Sequence, residues 1–217
     1  MMKSFFSSLS YIFHPIFLPL MGLYFLFELP TKSLGLMQTS LYYTNPDAKK
    51  ALYILFGFLT LAAPGISILI MKLNGIISSY HIVNRKERIY PLALVALYYI
   101  LSYYFLQRMI PEGRVIPYLL PYVFGFTMTL IVAFILNFYI KISLHMMAFF
   151  GIVGAIMGYF QNQLDYNLWF LLFLILVGGL VGSSRLYLKA HNIKEVILGI
   201  VFGFGIEYIC MKFDLYI

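Results

Sequence analysis

The sequence predicts an all-α fold, a polytopic transmembrane helix bundle of six or seven spans, and three observations predict it. The 217-residue chain is 62% hydrophobic and only 11% charged, with a mean hydropathy of +0.89, where a soluble domain carries about 25% charged residues. Its apolar residues gather in runs near the roughly 20 residues that cross a bilayer, where backbone must satisfy its own hydrogen bonds. Its 21 Phe and 19 Tyr suit side chains set against lipid or at the headgroup level.

The runs lie at 9–28, 50–72, 91–107, 116–140, 145–161, 167–183 and 194–211. His14-Pro15 and Pro19 interrupt the first, which is expected to be kinked, re-entrant or interfacial rather than a clean span. Between the first two runs, Pro30 to Lys50 is the longest hydrophilic loop, and Asn45-Pro46-Asp47 reads as a turn. Neither a repeat nor a second domain is apparent, so 1–217 reads as one integral membrane domain.

Composition also removes several function classes. Cys210 is the single cysteine, which excludes an intrachain disulfide and a cysteine-based zinc site. The run from Ile12 to Phe27 continues through Pro15 and Pro19 to Glu28 without a small-residue cleavage site, so it reads as a retained segment. The formal charge of +7 sits in short loops between apolar spans, which points to anionic lipid or phosphate as the counterpart and not to nucleic acid.

Counting spans places the loop 73–90, the loop near Lys141 and the loop near Arg185 on one side, because an even number of runs separates each pair. That side carries Lys3, Lys72, Arg85, Lys86, Arg88, Lys141, Arg185, Lys189 and Lys194, against Lys32, Lys49, Lys50, Arg108, Arg114 and Lys212 opposite. Nine bases against six would make the first side cytoplasmic. Setting aside Arg85, Lys86, Arg88, Lys141 and Arg185 as retained for chemistry leaves four against six and reverses the orientation.

Ionisable residues at a membrane edge are costly and mark function by default. Three clusters stand out: Asn84-Arg85-Lys86-Glu87-Arg88-Ile89-Tyr90-Pro91, Lys141-Ile142-Ser143-Leu144-His145, and Ser184-Arg185 through Lys189 and His191 to Glu195. His191 and Glu195, four apart at the start of a helix, are expected on one helix face, where the carboxylate can fix the imidazole in one tautomer and leave its other nitrogen to attack. Arg185 offers a planar fork for phosphate oxygens, and the unpaired N–H groups of a helix start favour an anion.

With these residues in hand, the chain resembles the type 2 phosphatidic acid phosphatase (PAP2) superfamily, membrane lipid phosphatases related to vanadium haloperoxidases. Ser184-Arg185, His191 and Glu195 keep every spacing of the family's third motif, Ser-Arg, five residues, His, three residues, Asp, with Glu for Asp. Ile142-Ser143-Leu144-His145 keeps the Ser and His of Pro-Ser-Gly-His without its Pro and Gly. The first motif, Lys, six residues, Arg-Pro, is matched loosely: Arg88 precedes Pro91 by three, and the cluster Arg85, Lys86 and Arg88 offers three bases for its role without singling one out. The resemblance runs from about Arg85 to Glu195, within a phosphatase-like core of about 72–211.

The resemblance implies a metal-independent phosphomonoesterase or pyrophosphatase acting on a lipid phosphate, with no cofactor. His191 is then the nucleophile, Glu195 its orienter, His145 the general acid, and Arg185, Ser143, Arg88, Arg85 and Lys86 the phosphate ligands. It further implies the inner membrane of a bacterium, with the site facing the periplasm. The alternative is a non-catalytic relative, or a lipid-phosphate binding or transport protein that keeps the basic pocket for recognition.

Each residue also has a plainer reading. Lys72, Lys141 and Lys194 at run ends are explained by snorkelling or contact with anionic lipid, and Ser143 alone by helix capping. His14 beside Pro15 reads as structural, His81 as an interface residue or phosphate contact, and Glu28 and Glu207 as residues near helix ends that reach water. A zinc site of His145, His191 and Glu195 is disfavoured, since the surrounding bases repel a dication.

Overall fold

The computed structural model describes residues 2–33, 40–78, 86–109, 116 and 118–216. Nine α-helices account for most of these residues: α1 Met2–Ile12, α2 Leu18–Glu28, α3 Pro46–Gly57, α4 Ala63–Leu73, α5 Ile89–Met109, α6 Leu119–Leu136, α7 Leu144–Phe160, α8 Leu168–Tyr187 and α9 Ile193–Lys212. Two short strands, β1 Lys32–Ser33 and β2 Gln163–Asp165, pair antiparallel.

Each apolar run of the sequence is a helix, with two differences of physical interest. The first run is two helices, α1 and α2, separated at His14-Pro15, where the proline ring cannot continue the preceding turn. The second begins at Pro46 rather than near 50. What reads as a turn is a helix start: Asn45 is the N-cap, its Oδ1 accepting from the Asp47 N–H at 2.8 Å, and Pro46 occupies the first turn.

α3 and α4 are joined without a break by a π-helical stretch, Phe58–Ala62. Pro64 lacks the N–H that an α-helix would direct back to Thr60, and the looser π turn absorbs that mismatch. Among the described residues, the composite rod Pro46–Leu73 is one of four helices long and apolar enough to cross a membrane; the others are Lys86–Arg108, Leu119–Leu136 and Leu168–Tyr187. α2 and α7 are apolar but shorter. Fold and composition thus make this a helical membrane protein.

The centre of the bundle is the α7–α9 pair, which forms the most extensive helix–helix contact. Apolar tails give no hydrophobic drive between helices in lipid, so close packing must come from small residues. Gly154 and Gly158 of α7, and Gly199 and Gly203 of α9, supply them. A Cβ on Gly199 would lie 2.7 Å from the Ser143 carbonyl oxygen and one on Gly158 2.8 Å from that of Tyr208, while one on Gly154 or Gly203 would collide with the backbone of Phe204 or Met147. This seam sets the starts of α7 and α9 side by side, and the site is built there.

The opposite end is closed by polar stitching. The Tyr159 hydroxyl lies 3.0 Å from Thr31 Oγ1 and accepts the Leu41 N–H at 2.9 Å. Glu28 is exposed there and pairs with Lys49 at 3.4 Å, as its place at a helix end suggests. Glu207 is a correction: it is fully buried, seated in the space left by Gly125 and Gly151, and neither carboxyl oxygen has a hydrogen-bond partner among the described residues.

Candidate active site

The spacing of Arg185, His191 and Glu195 has a local structural cause. α8 ends in a Schellman turn: Lys189 takes a left-handed conformation at φ 52°, its N–H reaching the Leu186 carbonyl at 3.0 Å and the Ala190 N–H that of Arg185 at 3.1 Å. The chain doubles back so that the His191 N–H also meets the Arg185 carbonyl, at 3.3 Å. Five intervening residues are what this reversal uses. Asn192 then caps α9, its Oδ1 accepting from the Glu195 N–H at 3.0 Å, while its Nδ2 donates to Glu195 Oε1, also at 3.0 Å.

His191 therefore precedes the cap and is not on the helix face with Glu195, a correction to the sequence expectation. The functional pairing forms all the same: His191 Nδ1 lies 2.6 Å from Glu195 Oε2. With the proton on Nδ1 donated to the carboxylate, Nε2 keeps its lone pair. His191 is 8% exposed. Burial holds its pKa below the ordinary imidazole value; the Glu195 hydrogen bond opposes this, and the charges of Arg88, Arg185 and Lys141 reinforce it. The ring is thus neutral at pH 7.

The second cluster meets the third directly. The Ser143 N–H donates to the Glu195 carbonyl at 3.2 Å, and Lys141 Nζ donates to the Ala190 carbonyl at 2.8 Å. Ser143 is the N-cap residue of α7 by position, yet its hydroxyl makes no cap bond and is fully buried with no partner among the described residues. His145, in the first turn of α7, lies within electrostatic reach of Arg185 and His191.

Of the first cluster, Arg88 joins this group: Nη1 makes a 3.5 Å contact with the Ile142 carbonyl, and its charge is felt by His191 and Glu195. Glu87 turns the other way and accepts from the Ser78 N–H and hydroxyl at 2.8 and 2.7 Å. Lys86 lines a neighbouring groove of about 520 Å³ with Glu87, Tyr90 and Asn137, and none of His145, Arg185 or His191 lines it. Arg85 and His81 lie outside the described residues.

Two participants come from the first run. Ser10 of α1 is buried against Ser184, Oγ to Oγ 2.9 Å; its Oγ accepts from Arg185 Nη1 at 3.1 Å, and its carbonyl oxygen lies 3.1 Å from His145 Nε2. The His14 ring packs edge-on against His145, centroids 5.6 Å apart, so a residue read as structural borders the site. A polar residue that α1 buries is the signal in retrospect, but serines at 4, 7, 8 and 10 give no reason to choose one.

Among the described residues, no three His, Cys, Asp or Glu side chains cluster as a metal shell. The donor set consists of two imidazoles, one of them paired with a carboxylate, two guanidiniums, an ammonium and a hydroxyl, which matches an anion. Fold and site together define a helical membrane protein with a cationic, imidazole-bearing centre at one end of its bundle. The model of the PAP2 superfamily matches residues 136–217, from the end of α6 through α9, so this C-terminal part of the chain is similar to that superfamily. No curated protein and no solved structure matches the chain.

Gathering Arg88 with the second and third clusters at one end gives a topological prediction. Lys86→Cys, Lys189→Cys and Asn192→Cys, made singly in a Cys210→Ser background, should all react with a membrane-impermeant maleimide from the same side, and Tyr43→Cys from the other. Opposite labelling of any two of the first three would refute the arrangement.

Proposed function

We propose that the protein is a membrane lipid phosphatase that hydrolyses a phosphomonoester or pyrophosphate on a lipid through a phosphohistidine. The observation that carries this reading is the 2.6 Å Nδ1 contact of His191 with Glu195, which leaves Nε2 as a neutral, oriented nucleophile among Arg88, Arg185 and Lys141. Nε2 attacks phosphorus, the phosphorus–oxygen bond to the lipid breaks, and the imidazolium form of His145 gives its proton to the leaving oxygen. Water then attacks the phosphohistidine with His145, now neutral, taking a proton, which releases inorganic phosphate and restores neutral His191 and the imidazolium of His145. Splitting one displacement into two lowers each barrier, and the guanidiniums stabilise charge on the equatorial oxygens.

Arg185 and Arg88 are the principal phosphate ligands in this reading, with the Ser143 hydroxyl and the free N–H groups at the start of α7 completing the seat. Lys86 stands at its margin, and Arg85 is kept as a ligand on the family resemblance alone. Leu144 replaces a residue without a side chain where backbone would approach phosphate closely, while Ser143 and His145 on either side retain the side chains the chemistry needs. Following the family resemblance, we put the site on the periplasmic face of a bacterial inner membrane, with the lipid phosphate and surrounding lipids as partners.

Purified protein should release inorganic phosphate from phosphatidate or an isoprenoid diphosphate in mixed micelles with EDTA present, and vanadate should inhibit it. Activity lost in EDTA and restored by zinc or magnesium would overturn the assignment of a metal-independent centre. Binding of lipid phosphate without hydrolysis of any would favour the recognition role instead.

A further inference from the structure

Ser10 holds two positions at once. Its hydroxyl accepts from the Arg185 guanidinium at 3.1 Å and its carbonyl oxygen faces His145 Nε2 at 3.1 Å. These are the donors that the proposed reaction assigns to a phosphoryl oxygen and to the leaving oxygen. Building on that reading, we propose that the end of α1 occupies the substrate's seat: Ser10 Oγ stands in for a phosphoryl oxygen and the Ser10 carbonyl for the leaving oxygen. A lipid phosphate binds by displacing α1.

The fit of this stand-in is incomplete. Arg185 Nε and the Ser143 hydroxyl are both buried with no hydrogen-bond partner among the described residues. Leaving buried donors unmade costs about 1–3 kcal/mol each. A single hydroxyl cannot span them, whereas a tetrahedral phosphate offers several oxygens and charge-assisted bonds. The exchange therefore favours an anion of that shape over Ser10.

The segment carrying Ser10 is built to move. α1 is 11 residues long, about half a span, and packs on α8, with the Phe6 ring 4.6 Å from that of Tyr187. Met2, Phe5, Tyr11 and Ile12 are exposed on its outer side, so lipid can receive it. Below it the chain leaves helical geometry at His14-Pro15, where His14 Nδ1 accepts the Ile16 N–H at 3.3 Å, and Phe13 anchors the turn on Phe149, rings 5.5 Å apart. Motion of α1 about residues 13–17 needs no change in the α7–α9 pair.

The test is a reversible staple. Ser10→Cys with Ser184→Cys in a Cys210→Ser background places two thiols where the hydroxyl oxygens lie 2.9 Å apart. Oxidation should abolish both phosphate release and vanadate binding, and reduction should restore them to the level of the single-cysteine proteins. Ser10→Ala, which removes the competitor, should lower KM and the vanadate inhibition constant by about fivefold, the size of one hydrogen bond.

A stapled protein that hydrolyses at its reduced rate overturns the proposal, as does a pair that never cross-links. A Ser10→Ala protein whose KM rises would make Ser10 a substrate ligand instead. If no lipid phosphate is hydrolysed but the staple still blocks vanadate binding, the displacement of α1 stands and the phosphatase reading falls.

Discussion

His191→Ala is expected to lower phosphate release by on the order of a thousandfold or more, because it removes the atom that forms the covalent intermediate. Lipid phosphate should still bind, since Arg88 and Arg185 remain, so the loss should appear in kcat rather than KM. His145→Ala should cost on the order of a hundredfold, the usual weight of a general acid. Glu195→Asp, which keeps the carboxylate, should be tolerated. The pH profile gives a further check. His191 must be neutral to attack, and burial lowers its pKa to about 4, so kcat/KM should persist as pH falls through 6.5 and be lost only on approaching that lower value. Glu195→Gln removes the interaction that raises the pKa, and should move the acid limb lower still while reducing kcat. An acid limb at 6.5 in the wild type, or wild-type turnover in His191→Ala, would refute this account.

Gly203→Leu is expected to be the most damaging change outside the site. A side chain there meets the backbone of Met147, and backbone cannot step aside without separating α7 from α9. Overpacking of this kind costs about 3 kcal/mol or more. It also displaces His145 from His191, and misplacement by about 1 Å can cost a hundredfold in rate. Gly205→Leu, two residues along the same helix where an added Cβ meets nothing within 4 Å, serves as the control and should behave as wild type. Thermal stability and turnover measured on both proteins check the prediction. Equal loss in both would show that helix propensity, and not the seam, is what matters.

The parts of the fold that read directly from the sequence are those set by composition. Every apolar run is helical, as its hydrophobic length requires, and only the first is broken, at His14-Pro15. Arg88, the stretch Lys141–His145 and the turn from Arg185 to Glu195 meet at one end, the grouping that the parity of the apolar runs implies. Contacts across distant segments were not legible. Nothing local in Ser10 marks it as the partner of Arg185 and His145, since that depends on how α1 falls on α8. Glu207 reads as a helix-end residue from its position near Lys212, yet the glycines that make room for it, Gly125 and Gly151, lie on other helices. The relation of His191 to Glu195 was right in outcome and wrong in geometry. A separation of four matches a helical turn, but the N-cap at Asn192 puts the histidine before the helix and brings its ring to the carboxylate by a loop.

The seam of glycines between α7 and α9 also divides the labour of the molecule. His145 rides on the start of one helix, and His191 and Glu195 flank the start of the other. Their mutual distance is therefore a property of the packed α7–α9 pair and of the turn that closes α8, all within the stretch that the family model matches. The remaining helices touch this frame without setting that distance. Changes of length or groove shape in those helices therefore leave the spacing of His145, His191 and Glu195 as it is.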